Sequence, residues 1–142
     1  MKRYALVALA MLILLIVYLF QKINYAGIVN FILPESLTIN HPYGVFIFNR
    51  TIRLIINDGA CMLLIWSLFG QMKYLKAAFI IFLIELFIML PLYFIIKLNL
   101  EGASEISSPL LSQIHRIIVN PLLMLILILG FYYQKVTSDT RA

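Results

Sequence analysis

Charge and cysteine are scarce in this 142-residue chain: 12% of its residues are Asp, Glu, Lys or Arg, six of them acidic, and Cys61 is the only thiol. One cysteine excludes an intramolecular disulfide and a cysteine-based zinc cluster. His41 and His115 fall in no metal-ligand spacing, so neither a metal nor a cofactor is expected. A charged fraction so far below the roughly 25% of soluble domains, beside 63% hydrophobic residues against roughly 45–50%, excludes an ordinary water-soluble fold. The net charge of +5 is no nucleic-acid signal. Most of the Lys and Arg flank apolar segments, where interfacial anchoring accounts for them, and no basic run interleaves with exposed aromatics. A single membrane domain over residues 1–142, embedded in a lipid bilayer, is the reading that fits.

Four segments are apolar enough to cross a hydrocarbon core of roughly 30 Å, which takes about 20 residues. They cover about residues 4–20, 51–69, 77–96 and 114–133. The expected fold is an all-α bundle of four transmembrane helices. Gly70 and Gln71 with Lys73 and Lys76 punctuate one joint, and the run from Asn99 to Ser108 another. Ser108 before Pro109 reads as a helix N-cap followed by the favoured first-turn proline, so the fourth helix is expected to run from Pro109 to Gln134. Lys2 and Arg3 before an apolar run resemble a secretory signal. No small-x-small cleavage pattern follows at Gln21–Ala26, which points to an uncleaved anchor.

The connection from Gln21 to Asn49 is too apolar for a free loop. Residues 28–33 and 45–48 flank a turn-rich middle with Pro34, Asn40, Pro42 and Gly44, a pattern that predicts an interfacial or re-entrant element after the first helix. Lys2, Arg3, Lys73, Lys76, Lys135 and Arg141 fall on one side, against Lys22, Arg50 and Lys97 on the other. That bias predicts a multi-pass protein of the cytoplasmic (inner) membrane with both termini in the cytoplasm.

A few polar side chains interrupt the hydrocarbon. Arg53 and Asn57 share a spacing with Arg116 and Asn120, each pair opening an apolar helix. Positions four apart lie one above the other on a helix, so Arg53, Asn57 and Cys61 form one stripe and Ser112, Arg116 and Asn120 another. If the two helices face each other, Asp58 can pair with Arg116 or Arg53 and offset their burial. Pro121, lacking an N–H, frees a carbonyl near Ile117 for an arginine fork or the Asn120 amide. Snorkelling to headgroups explains Arg50 and much of Arg53, but not Asp58. The cluster Arg53, Asn57, Asp58, Arg116 and Asn120 is therefore the candidate contact for a partner or substrate. Helix–helix glue is the plainer role for the same groups.

Glu85 is the second anomaly, roughly 13 Å into the bilayer from Lys76. A relay or transport role would need it, but no second acid is predicted at that depth, so a hydrogen-bonded carboxyl is the simpler expectation. Cys61 opens an alternative: a thiol enzyme, transpeptidase- or protease-like, using Cys61 with Arg53, Arg116 or His115, since nearby cations favour a thiolate. The plainer role is an apolar filler.

The fourth segment carries Ile114, His115, Arg116, Asn120 and Pro121, a leucine-rich run, and then Phe131, Tyr132, Tyr133 and Gln134. It resembles the C-terminal signature of the small exosortase F system-associated membrane proteins of flavobacteria, with Arg53 and Asn57 matching that family's other polar motif. Leu129 and Gly130 depart from it, standing where a proline or alanine is expected before the closing aromatics. The resemblance implies a partner, exosortase F, a multi-spanning transpeptidase-like enzyme that processes C-terminal sorting signals. It implies a non-enzymatic accessory role in cell-envelope protein sorting. Exosortases use a membrane cysteine with arginines. This chain is much shorter than such enzymes, so those catalytic roles are not carried over to Cys61, Arg53 and Arg116.

Overall fold

The computed structural model describes residues 2–141, and every regular element among them is helical. Helix α1 covers Lys2–Leu19, α2 Tyr25–Ile32 and α3 Pro42–Phe69. A long α4 covers Met72–Leu100, and α5 and α6 cover Pro109–Ile118 and Leu122–Arg141. Helices α1, α3 and α4 are each long and apolar enough to cross a membrane; α5 and α6 add a fourth crossing if the bent pair counts as one.

α3 is the axis of the bundle and contributes ten buried side chains, from Arg53 to Phe69. It starts nine residues before the apolar run because Pro42 takes the first helical position and His41 Nδ1 accepts the Tyr43 N–H at 3.3 Å. Residues 45–48, expected in the interfacial element, are therefore the second turn of α3. It stops at Gly70, whose φ of 64° gives the left-handed cap with its N–H on the Trp66 carbonyl at 2.9 Å. The Arg3 guanidinium crowds this glycine, so the start of α1 lies beside the α3–α4 turn. α1 packs on α3 through Ala10 and Val17, two turns apart on one stripe, and leaves most of its other side chains exposed.

α2 has eight residues, about 12 Å of helix, too short to span. The Asn49 side chain pins it to α3, accepting from the Ala26 N–H at 2.8 Å and donating to Asn24 Oδ1 at 3.1 Å. Asn30 braces the following turn by bonding both the N–H and the carbonyl of Ile39. Ile28, Phe31 and Ile32 then stand outward, Phe31 at 93% exposure.

Within α4, Pro91 lacks the N–H that would bond back one turn, and its ring would crowd the carbonyl there. The chain answers with a wide π-turn at Glu85–Met89, in which the Leu90 N–H reaches the Glu85 carbonyl. The fourth apolar segment is likewise not one straight rod. It breaks at Val119–Pro121, and α5 and α6 meet at 53°. Two apolar clusters hold the bundle. Leu54, Leu90, Tyr93, Phe94, Ile118 and Val119 fill the half toward the α4–α5 connection. Cys61, Ile65, Phe69, Tyr74, Ala78 and Met124 fill the half toward the α3–α4 turn. Large apolar side chains such as Ile80, Phe87, Ile88 and Ile95 ring the outside of α4, as a lipid-facing helix requires.

Candidate functional site

The predicted cluster separates into an internal lock, an isolated acid pair and one exposed arginine. Arg53 and Asn57 differ by roughly 40° around α3 and share the face toward the α5–α6 break. An Arg53 Nη donates to Asn120 Oδ1 at 2.7 Å, and Asn57 Nδ2 donates to the Val119 carbonyl at 3.1 Å. The carbonyl freed by the Pro121 break and taken by α3 is thus that of Val119, not one near Ile117. Arg53 and Asn57 are 4% and 3% exposed, and Arg53 Nε has no partner. Leu14, Val17 and Tyr18 of α1 close over the lock with Pro121 and Leu125, leaving a pocket of about 300 Å³ onto which Arg53, Asn57 and Asn120 open.

Asp58 does not join the arginines. Five positions beyond Arg53, it sits roughly 140° away around α3 and faces α4. There it neighbours the Glu85 carboxyl, and both residues are fully enclosed. The expected pairing of Asp58 with Arg53 or Arg116 is therefore replaced by an acid–acid contact. So is the expectation that no second acid stands at the depth of Glu85. No protein donor reaches either Glu85 oxygen or Asp58 Oδ2. A hydrogen bond between two carboxyls requires one proton between them.

Arg116 is exposed on α5 and His115 half-buried, its Nδ1 3.2 Å from the Tyr93 hydroxyl. Cys61 is fully buried among Ile65, Phe69, Ala78 and Met124. No group of three His, Cys, Asp or Glu side chains converges to hold a metal ion among the described residues.

Sequence reasoning missed Lys97. Taken there as an interfacial charge, it is fully buried, 3.1 Å from Glu101 Oε2, with its Nζ also donating to the carbonyls of Gly102 and Ser104 at 3.1 and 3.0 Å. The Phe46 ring centre lies 5.6 Å from the ammonium. The signal was available as a Lys–Glu pair four residues apart. The Ser108 hydroxyl, expected as the N-cap, makes no cap bond; Glu101 instead braces the residues that lead into α5. Its carboxylate accepts the backbone N–H groups of Ser107 and Ser108, at 3.2 and 2.7 Å, at the start of α5.

Partial desolvation pushes the Glu101 carboxyl up, but the Ser108 N–H, the Lys97 ammonium and the Ser107 donors outweigh it and hold the group at about 2. A folded value below the ordinary 4.5 stabilises the fold above that pH, and the contribution is lost as pH falls toward about 2. The gap in melting temperature between the parent and Glu101→Gln is therefore expected to close across that window. A gap independent of pH would remove Glu101 as the anchor.

Comparison with protein-family models, with curated proteins and with solved structures returns no match.

Proposed function

We propose that this chain is a non-enzymatic accessory subunit of a multi-pass membrane assembly, which it contacts through the exposed face of α5 around Arg116. The observation that carries the reading is the division of labour in the polar cluster. Arg53, Asn57 and Asn120 spend their hydrogen bonds fixing the α5–α6 break, while Arg116 projects from the element so fixed. An arginine without an internal task on an amphipathic helix, whose Leu111 and Ile118 are buried, suits recognition of a carboxylate on a neighbouring protein.

In this reading α5–α6 forms a fourth, broken span, α2 lies in the outer interface, and both termini face the cytoplasm across the inner membrane. The resemblance of the fourth segment to exosortase F system-associated proteins makes a multi-spanning sorting enzyme the partner, with a role in envelope protein sorting. The thiol-enzyme alternative draws no support from Cys61, which is enclosed by apolar side chains, while His115 is engaged with Tyr93 in the other half of the bundle.

Mild-detergent pull-down of the tagged chain from native membranes tests the proposal. Recovery of a multi-spanning partner is expected, falling tenfold or more with Arg116→Leu, roughly the loss of one interface hot spot. Lys135→Leu, a control at another exposed cation, should leave recovery unchanged. Equal losses from the two substitutions would take Arg116 out of the interface, and recovery of the chain alone would sink the accessory role.

A further inference from the structure

The lock leaves an electrostatic account unfinished. Arg53 is enclosed within a span, yet the ion pair found among the described residues, Lys97–Glu101, lies elsewhere, and Asp58 faces away toward Glu85. Its guanidinium bonds Asn120 through one nitrogen and opens onto the 300 Å³ pocket beneath α1, a volume at the small end of ligand sites. No acidic side chain lines that pocket. Asn57 and Asn120 add neutral amides beside the guanidinium, and Leu14, Val17 and Leu125 supply an apolar wall.

Depth narrows the ligand further. α1 is 18 residues, about 27 Å, which is close to the thickness of the hydrocarbon core. Leu14, Val17 and Tyr18 fall in the last two turns before its end at Leu19, so the pocket lies just inside one boundary of the bilayer. There a lipid phosphate meets its acyl chains. A guanidinium matches phosphate oxygens in fork geometry, and the apolar wall matches the first chain carbons. A zwitterionic headgroup would bring an ammonium beside Arg53 with no carboxylate to receive it.

The geometry points to a binding site for an anionic phospholipid, with its phosphate on Arg53 and its proximal acyl carbons against Leu14, Val17 and Leu125. The lipid completes the charge balance of the lock and fills the space between α1 and the α5–α6 break. The assignment rests on the membrane-spanning reading and not on the partner, because it is read on the purified chain.

Native mass spectrometry of the full chain released from mixed micelles of phosphatidylglycerol and phosphatidylcholine tests it. Preferential retention of phosphatidylglycerol by roughly tenfold is expected, because both lipids present a phosphate and only phosphatidylcholine brings an ammonium against the guanidinium. Arg53→Gln should abolish the preference, whereas Lys135→Gln, at an exposed cation, should keep it. Because Arg53 also bonds Asn120, Leu14→Trp gives a second route: it crowds the apolar wall where the acyl carbons would lie, leaves the Arg53, Asn57 and Asn120 side chains in place, and should lose the lipid while still folding. Equal retention of the two lipids would overturn the proposal, as would undiminished retention by a folded Leu14→Trp chain. If inorganic phosphate or a peptide carboxylate raises the melting temperature of lipid-free protein in an Arg53-dependent way, without any phosphatidylglycerol preference, the site takes a free anion or a protein terminus and the lipid assignment fails.

Discussion

Lys97→Met is expected to cost about 2–4 kcal/mol of stability in detergent unfolding and to release the connection between α4 and α5. The ammonium is fully buried and reaches one carboxylate and two carbonyls, all between 3.0 and 3.1 Å. Hydrogen bonds to a charged group contribute roughly 1.5–3 kcal/mol each, but burying the ammonium opposes them by several kcal/mol. Methionine keeps the packing of the stem and avoids that desolvation, so the net loss falls well short of the summed contacts. Glu101 keeps its bonds to Ser107 and Ser108, which limits the damage at the first turn of α5. Gly102 and Ser104 lose their anchor, and with φ at 68° Gly102 readily moves to other conformations. Since this connection sets where α5 begins, partner recovery through Arg116 should weaken along with stability. Lys135→Met, an exposed substitution, should stay within about 0.5 kcal/mol of the parent. A Lys97→Met chain as stable as that control would show that the buried ammonium anchors nothing.

The all-helical class was legible in the sequence, and for a physical reason. Hydrocarbon runs of spanning length report themselves, and the spacing of Arg53 with Asn57 marked the face of α3 that bonds Asn120 and Val119 at the break. What sequence could not supply was the neighbour of each face. Helical periodicity puts Asp58 on a different face from Arg53, but only the packing of α4 makes Glu85 its partner. Pro121 announced a disturbed helix without giving its size, because a proline in a span can kink or break it depending on what receives the freed carbonyl. Here α3 receives it, and the chain turns by 53°. In α4 the structure meets Pro91 with a π-turn that keeps the helix continuous. Arg116 belonged to the right stripe but lies on the outward side of a short helix, so the symmetry of the two motifs in sequence is not a symmetry of roles. Pro42 read as part of a turn because proline serves helix starts and turns alike.

Removing one carboxyl of the Asp58–Glu85 pair should reveal how far the pair depends on itself. Glu85→Ala leaves the Asp58 carboxyl enclosed without its partner and opens space beside the π-turn, an expected loss of about 2–4 kcal/mol. Asp58→Ala should cost a similar amount for the converse reason. Removing both deletes the orphaned group along with its partner, so the double variant should be less damaged than the sum of the singles by about 1–3 kcal/mol. Glu85→Gln separates hydrogen bonding from volume and charge. Its amide supplies the proton that two carboxyls must otherwise share, and its size is nearly that of glutamate, so it is expected to lie within about 1 kcal/mol of the parent. The set can be measured as unfolding in graded mixtures of mild and denaturing detergent. Additive losses in the double variant would mean that the two acids do not act on each other. Should Glu85→Gln be as damaging as Glu85→Ala, the ionised carboxylate itself would be what the bundle needs, and a cation or a moving proton would have to enter the account of α3 and α4.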